Sequence, residues 1–181
     1  MPSLPFLALL ACCAAAVAAS AATTASDERE RPVVYLIRHG EKESQMGCLS
    51  PAGQMRANSL PQLFDGGRFR VPTALFAYAY TDGYCARCVQ TLEPIASALG
   101  QSINTTYGFE TGNAAAAMAL RATALSTRGA VLAAWEHHGL PEVAEALGVK
   151  RGNVRAELYK LLLYEKGGFF KAHEVTYRTQ A

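Results

Sequence analysis

The chain has 181 residues, of which 50% are hydrophobic and 18% are charged. This length suits one domain, and this composition excludes an intrinsically disordered protein. The formal net charge of +2 arises from 17 Lys and Arg against 15 Asp and Glu, which are scattered without a basic run. A nucleic-acid-binding function is therefore disfavoured.

The N-terminal segment is typical of a secretory signal peptide. Residues 6–19 are apolar and alanine-rich, and a run of about 14 residues fits a signal-peptide core but falls short of the roughly 20 that span a bilayer. Small residues at 19–21 suit cleavage. We expect a signal peptide over 1–21, a flexible leader over 22–32 and one domain over 33–181. The protein is then secreted or extracytoplasmic without stable membrane insertion; a lipid tether at Cys12 is the alternative.

After the leader, strand and helix patterns alternate. Val33–Ile37 is a continuous apolar, β-branched run, as in a strand buried on both faces. Ser50 and Pro51 are typical helix-start residues, and the helix that they begin ends before Asp65-Gly66-Gly67. The remaining predicted elements are, in order, a strand over 74–78, helix 86–99, short strand 103–107, helix 114–125, strand 130–135, helix 140–147 and a hairpin of 158–164 with 169–175. This alternation predicts an α/β fold, a three-layer α/β/α sandwich with a mostly parallel central sheet.

Arginines and histidines follow the predicted strands. Arg38-His39-Gly40 follows the first strand, Arg87 follows the second, and Glu136-His137-His138 follows the strand over 130–135. Ligands bind beyond the carboxyl ends of the strands in sheets of this class. Because arginine forks suit phosphoryl oxygens and an imidazole can attack phosphorus, this set favours phosphoryl transfer through His39.

Attack requires a free lone pair on the His39 ring. Neighbouring cations disfavour its protonation, and a hydrogen bond from the other ring nitrogen to a backbone carbonyl would fix the tautomer. We expect Gly40 to let the chain fold back for that bond.

The segment Leu36-Ile37-Arg38-His39-Gly40-Glu41 resembles the signature of the histidine phosphatase superfamily, also called phosphoglycerate mutase-like. Segments 49–53, 87–91 and 131–140 are similar to three further landmarks of that family, in the same order. The similarity extends from Val33 to about residue 147. It implies a phosphoglycerate mutase-like fold and a metal-independent phosphomonoester hydrolase without a cofactor, which the N-terminal segment predicts to be exported. We expect a monomer that acts on a small phosphorylated substrate.

The resemblance also implies roles for individual residues. His39 would be the nucleophile, and Arg38, Arg87 and His137 would bind the phosphoryl oxygens with it. His137 is preferred to His138 because the family has an apolar residue three positions after this histidine, and here that residue is Leu140.

The proton donor is less well defined. The family's glutamate donor lies in a long segment after the second arginine, and that segment is short here, which disfavours a mutase. Glu110 is the only carboxylate between Glu93 and Glu136. It is the positional candidate, with Glu136 as its rival and water as the third possibility.

The cysteines support a different hypothesis. Signal cleavage leaves Cys48, Cys85 and Cys88, and export suggests one disulfide, which we predict between Cys48 and either Cys85 or Cys88. Alternatively, Cys85 and Cys88 form the reactive pair of a thiol-disulfide oxidoreductase, since a thiolate at a helix N-terminus has a low pKa.

Two further alternatives use the same strand ends. His39, Glu136, His137 and His138 could ligate zinc, although the arginines would place positive charge beside the cation. A catalytically silent pseudoenzyme would retain the phosphate site without turnover.

Overall fold

The computed structural model describes residues 32–43, 47–67, 69–81, 86–149 and 173–176. The predicted signal peptide, the leader up to residue 31 and the first strand of the terminal hairpin lie outside these residues. No helix in the described part of the chain is long and apolar enough to cross a membrane.

Strands and helices alternate along the chain as predicted. In order, the elements are β1 (Val33–Arg38), α1 (Pro51–Leu63), β2 (Pro72–Ala77), α2 (Arg87–Leu99), β3 (Ile103–Asn104), α3 (Gly112–Thr127), β4 (Ala130–Trp135), α4 (Leu140–Ala146) and β5 (His173–Thr176). The predicted strand over 103–107 is shorter than expected, because the chain turns after Asn104 and next pairs at Gly108, through a single bridge to Ala79.

The strands form one sheet in the order β3-β2-β4-β1-β5. β1 and β2 flank β4 and run parallel to it, and β3 runs parallel to β2. β5 is antiparallel to β1, at the sheet edge. The strands β1, β2 and β4 therefore end at the same side of the sheet, which is where their following residues meet.

Helix ends follow local sequence rules. The Ser50 side chain accepts a hydrogen bond from the Gly53 N–H at 3.2 Å and caps α1, with Pro51 as the first helical residue. Gly100 ends α2 in the left-handed conformation, with φ of 62°.

Helices cover both faces of the sheet. One apolar cluster joins alternate residues of β1 and β4 to α3 and α4; its largest members include Leu36, Phe76, Leu120, Trp135 and Leu140. The other joins the intervening strand residues to α1 and α2; its largest members include Tyr35, Ile37, Leu60, Phe64 and Leu92. The predicted three-layer α/β/α architecture is thus confirmed. Helix α2 begins at Arg87, which lies near the ends of the strands.

Candidate active site

The ends of β1 and β4 bring two of the predicted site segments together. The strands run parallel with Arg38 opposite Trp135. One residue further on, the His39 N–H donates to the Trp135 carbonyl at 3.2 Å. His39 and Glu136 therefore leave the sheet side by side.

The His39 ring is buried and held in one tautomer. The residue is 4% exposed, and Nδ1 lies 2.6 Å from the Gly40 carbonyl oxygen. Because a carbonyl only accepts, Nδ1 carries the proton and Nε2 carries the lone pair. Burial lowers the pKa of His39 to about 4; the charges of Arg87 and Arg38 act in the same direction, whereas the Gly40 hydrogen bond opposes them. The ring is therefore neutral at pH 7.

Arg87 is the centre of the hydrogen-bond network. Its Nε donates to His39 Nε2 at 3.1 Å, and its Nη2 donates to Glu136 Oε1. Nη1 points to the Gly47 carbonyl at 3.4 Å, and the guanidinium lies over the Tyr80 ring, 4.4 Å from its centroid. Arg87 is 8% exposed, so this cation is fixed on several sides beside the nucleophilic nitrogen.

Thr91 links α2 to the loop after β1. Its hydroxyl donates to the Arg87 carbonyl at 2.7 Å and accepts the Gly40 N–H at 2.9 Å. Sequence reasoning assigned no role to Thr91 or Tyr80. The usable signal for Thr91 is its position one helical turn after Arg87, because residues four apart share a helix face.

The Glu136 carboxylate joins Arg87 to His137. Oε2 accepts the His137 N–H at 2.9 Å and lies 2.9 Å from His137 Nδ1. Oε1 accepts from Arg87 and lies 3.8 Å from His39 Nε2. Desolvation lowers the pKa of His137 to about 4, followed by the charges of Arg38, His138 and Lys42. His137 is therefore also neutral at pH 7.

The other predicted residues, Arg38, His138 and Glu110, are exposed. Arg38 is exposed, and desolvation and the charge of Arg87 lower its pKa. His138 is exposed, and its ring centroid is 3.7 Å from that of His137. Glu110 is exposed in the turn before α3 and makes no hydrogen bond or ion pair with any residue that the structure describes. The structure thus brings His39, Arg87, Glu136 and His137 into contact, with Arg38 close enough for its charge to act on both histidines.

Cys88 does not have the properties that the oxidoreductase hypothesis requires. The thiol is free and buried, it lies 3.2 Å from the Tyr80 hydroxyl, and burial raises its pKa to about 12. A disulfide between Cys48 and Cys88 is therefore wrong, since packing at the start of α2 buries Cys88 as a thiol. Cys48 is in a disulfide, and Cys85 lies outside the described residues.

Three of the four proposed zinc ligands do cluster. Ligand atoms of His39, Glu136 and His137 lie within 4.8 Å of one another. However, Arg87 donates to both His39 Nε2 and Glu136 Oε1, so a cation already engages two of these three acceptors. The charge of Arg87 therefore disfavours a second cation at these three side chains.

The chain has the fold of the histidine phosphatase superfamily, as its similarity to a solved structure shows. It is similar to a structure described as phosphohistidine phosphatase SixA from Agrobacterium tumefaciens, with a TM-score of 0.51 and 20% identity over 73% of this chain and 83% of that one. A second similar structure, described as SixA from Nakamurella multipartitia, has a TM-score of 0.41 and 21% identity over 62% of this chain and 63% of that one. No protein-family model matches the chain, and no curated protein does.

Proposed function

We propose that the protein is a phosphomonoester hydrolase that acts through a covalent phosphohistidine on His39. One observation carries the proposal: the His39 imidazole is buried and neutral, and Nδ1 is fixed on the Gly40 carbonyl. Its Nε2 lone pair therefore faces Arg87 and Glu136. Arg87, held beside Nε2, supplies donors for phosphoryl oxygens. Arg38 and His137 complete the phosphate site.

The reaction proceeds in two displacements. In the first, the Nε2 lone pair forms the N–P bond while the ester P–O bond breaks, and the leaving oxygen takes a proton. The ring gains positive charge, which the hydrogen bond from Nδ1 to the Gly40 carbonyl stabilises. In the second, water attacks phosphorus and gives a proton back to the acid, the N–P bond breaks, and phosphate leaves with neutral His39 restored.

Glu110 is our candidate for the acid that protonates the leaving oxygen. It lies in the turn after Gly108, and Gly108 pairs with Ala79 just beyond the end of β2. Glu110 is therefore on the same side of the sheet as His39. Its exposed carboxyl is free to meet a bound substrate, whereas the Glu136 carboxylate is engaged by Arg87.

We also propose that the protein is exported and that Cys48 pairs with Cys85. The apolar N-terminal segment supports export, and the free Cys88 leaves Cys85 as the candidate between the two predicted partners. The name of the Agrobacterium structure adds phosphohistidine to the substrates worth testing.

A panel of substrates tests the function. The purified chain without residues 1–21 should hydrolyse aryl and alkyl phosphomonoesters or a phosphohistidine peptide, and His39→Ala should abolish this activity. His138→Gln, which alters an exposed histidine of the same turn, should remain active. A wild-type protein that binds phosphate without turnover would instead indicate the pseudoenzyme, and reduction of a test disulfide would indicate the oxidoreductase.

A further inference from the structure

The Glu136 carboxylate is surrounded by the groups that we assign to phosphate binding. Oε1 accepts from Arg87 Nη2 and lies 3.8 Å from His39 Nε2. Oε2 accepts from the His137 N–H and lies 2.9 Å from His137 Nδ1. Arg87 Nη2 and the His137 N–H thus donate to the carboxylate as they would to phosphoryl oxygens.

We propose that the Glu136 carboxylate occupies the position that a phosphoryl group would take, so that an incoming phosphate group binds only by displacing it. This inference rests on the proposed function, since it assumes that the cluster takes a phosphoryl group.

Distance supports the overlap between carboxylate and phosphoryl group. A group ready for in-line attack has its phosphorus about 3–3.5 Å from the attacking nitrogen. Glu136 Oε1 is 3.8 Å from His39 Nε2, which is within the volume that the phosphorus and its oxygens would fill. The carboxylate and the phosphoryl group therefore cannot both occupy this position.

Charge leads to the same conclusion. His39 and His137 are neutral at pH 7, with pKa values of about 4, so they do not offset a second anion. Arg87 is the cation in direct contact with the carboxylate. Two anions about 4 Å apart in a partly buried site repel strongly, because the effective dielectric constant is well below that of water.

The exchange needs only a side-chain rotation. The Glu136 side chain is 16% exposed, compared with 2% for His39 and 9% for Arg87. Glutamate rotates about several single bonds, so its carboxylate can turn into solvent while the backbone stays in place. Its departure frees Arg87 Nη2 and the His137 N–H for phosphoryl oxygens. Arg87 Nε must also release His39 Nε2 before attack, because it engages the nucleophilic lone pair.

Binding of inorganic phosphate tests this exchange without requiring turnover. Calorimetric titration at pH 7.5 and fixed ionic strength would compare the wild type with Glu136→Gln, which keeps the side-chain shape and removes the charge. We expect the variant to bind phosphate on the order of tenfold more tightly or better. Glu93→Gln is the matched control, since it removes one exposed carboxylate from α2, and it should leave the affinity within about twofold of wild type.

A role in positioning alone predicts the opposite result. If Glu136 only holds Arg87 in place, Glu136→Gln binds phosphate more weakly than wild type, and equal or weaker binding overturns the proposal. Glu136→Asp is the second variant, because it withdraws the carboxylate from the cluster and keeps the charge; we expect an affinity between those of wild type and Glu136→Gln. A wild type that hydrolyses phosphomonoesters while neither variant binds phosphate more tightly contradicts this inference alone. If no form binds phosphate and the wild type lacks phosphatase activity, both this inference and the proposed function fail.

Discussion

Protonation of His39 should make the folded state less stable in mild acid. The pKa of His39 is about 4 in the folded protein, against 6.5 for an ordinary histidine. The unfolded chain therefore binds more protons between these values, and the free energy of unfolding falls as the pH falls. At 1.36 kcal/mol per pKa unit, His39 should cost about 2.5 kcal/mol between pH 7.5 and 4.5. His137 acts in the same direction, but its side chain is 36% exposed and its share is smaller.

Urea denaturation at pH 7.5, 6.0 and 4.5 measures this loss. Trp135 is the only tryptophan and is fully buried, so its fluorescence reports unfolding. His39→Gln should remove most of the pH dependence, and the exposed-residue variant His138→Gln should keep it. Identical pH dependence in the wild type and His39→Gln would refute the assignment of a buried, neutral His39.

Three further predictions concern neighbouring residues. Arg87→Lys keeps the charge but loses the planar fork that reaches His39 and Glu136 together, so kcat/KM should fall at least about tenfold; unchanged kinetics would remove Arg87 from the site. Glu110→Gln should slow an alkyl phosphate far more than p-nitrophenyl phosphate, because an alkoxide needs a proton more than a nitrophenolate does, and the acid contributes roughly 10²- to 10⁴-fold; equal effects in steady-state assays would exclude that role. Gly40→Ala should destabilise the fold by about 1–3 kcal/mol in urea denaturation, because a Cβ there would lie 2.9 Å from the Gly53 carbonyl oxygen in α1. Gly67→Ala is the control and should cost less, because its Cβ would meet only the exposed Asp65 side chain.

The fold was predictable because local patterns agree with the final packing. The run over 130–135 is apolar throughout and becomes β4, which is buried along its whole length between two layers of helices. Ser50 with Pro51 and the glycine at 100 marked the ends of α1 and α2 correctly. The predicted strand over 103–107 was too long because β3 ends where the chain turns toward the Gly108 bridge, and apolar periodicity does not define such a turn.

The candidate site was predictable as a set of residues but not as a network. Strand ends in a parallel sheet share one side, so Arg38, His39 and His137 were expected near one another. A hydrogen bond from one His39 ring nitrogen to a backbone carbonyl was also expected, and it is present between Nδ1 and the Gly40 carbonyl. By contrast, the contact of Glu136 with Arg87 depends on side-chain directions at the ends of two separate elements. Sequence spacing carries no information about such directions.

Rapid-quench labelling with a ³²P-phosphomonoester tests the central claim most directly. We predict acid-labile, base-stable phosphate that peptide mapping assigns to His39 and that is absent from His39→Ala. Normal turnover by His39→Ala, or label on another residue, would contradict the proposed phosphohistidine mechanism.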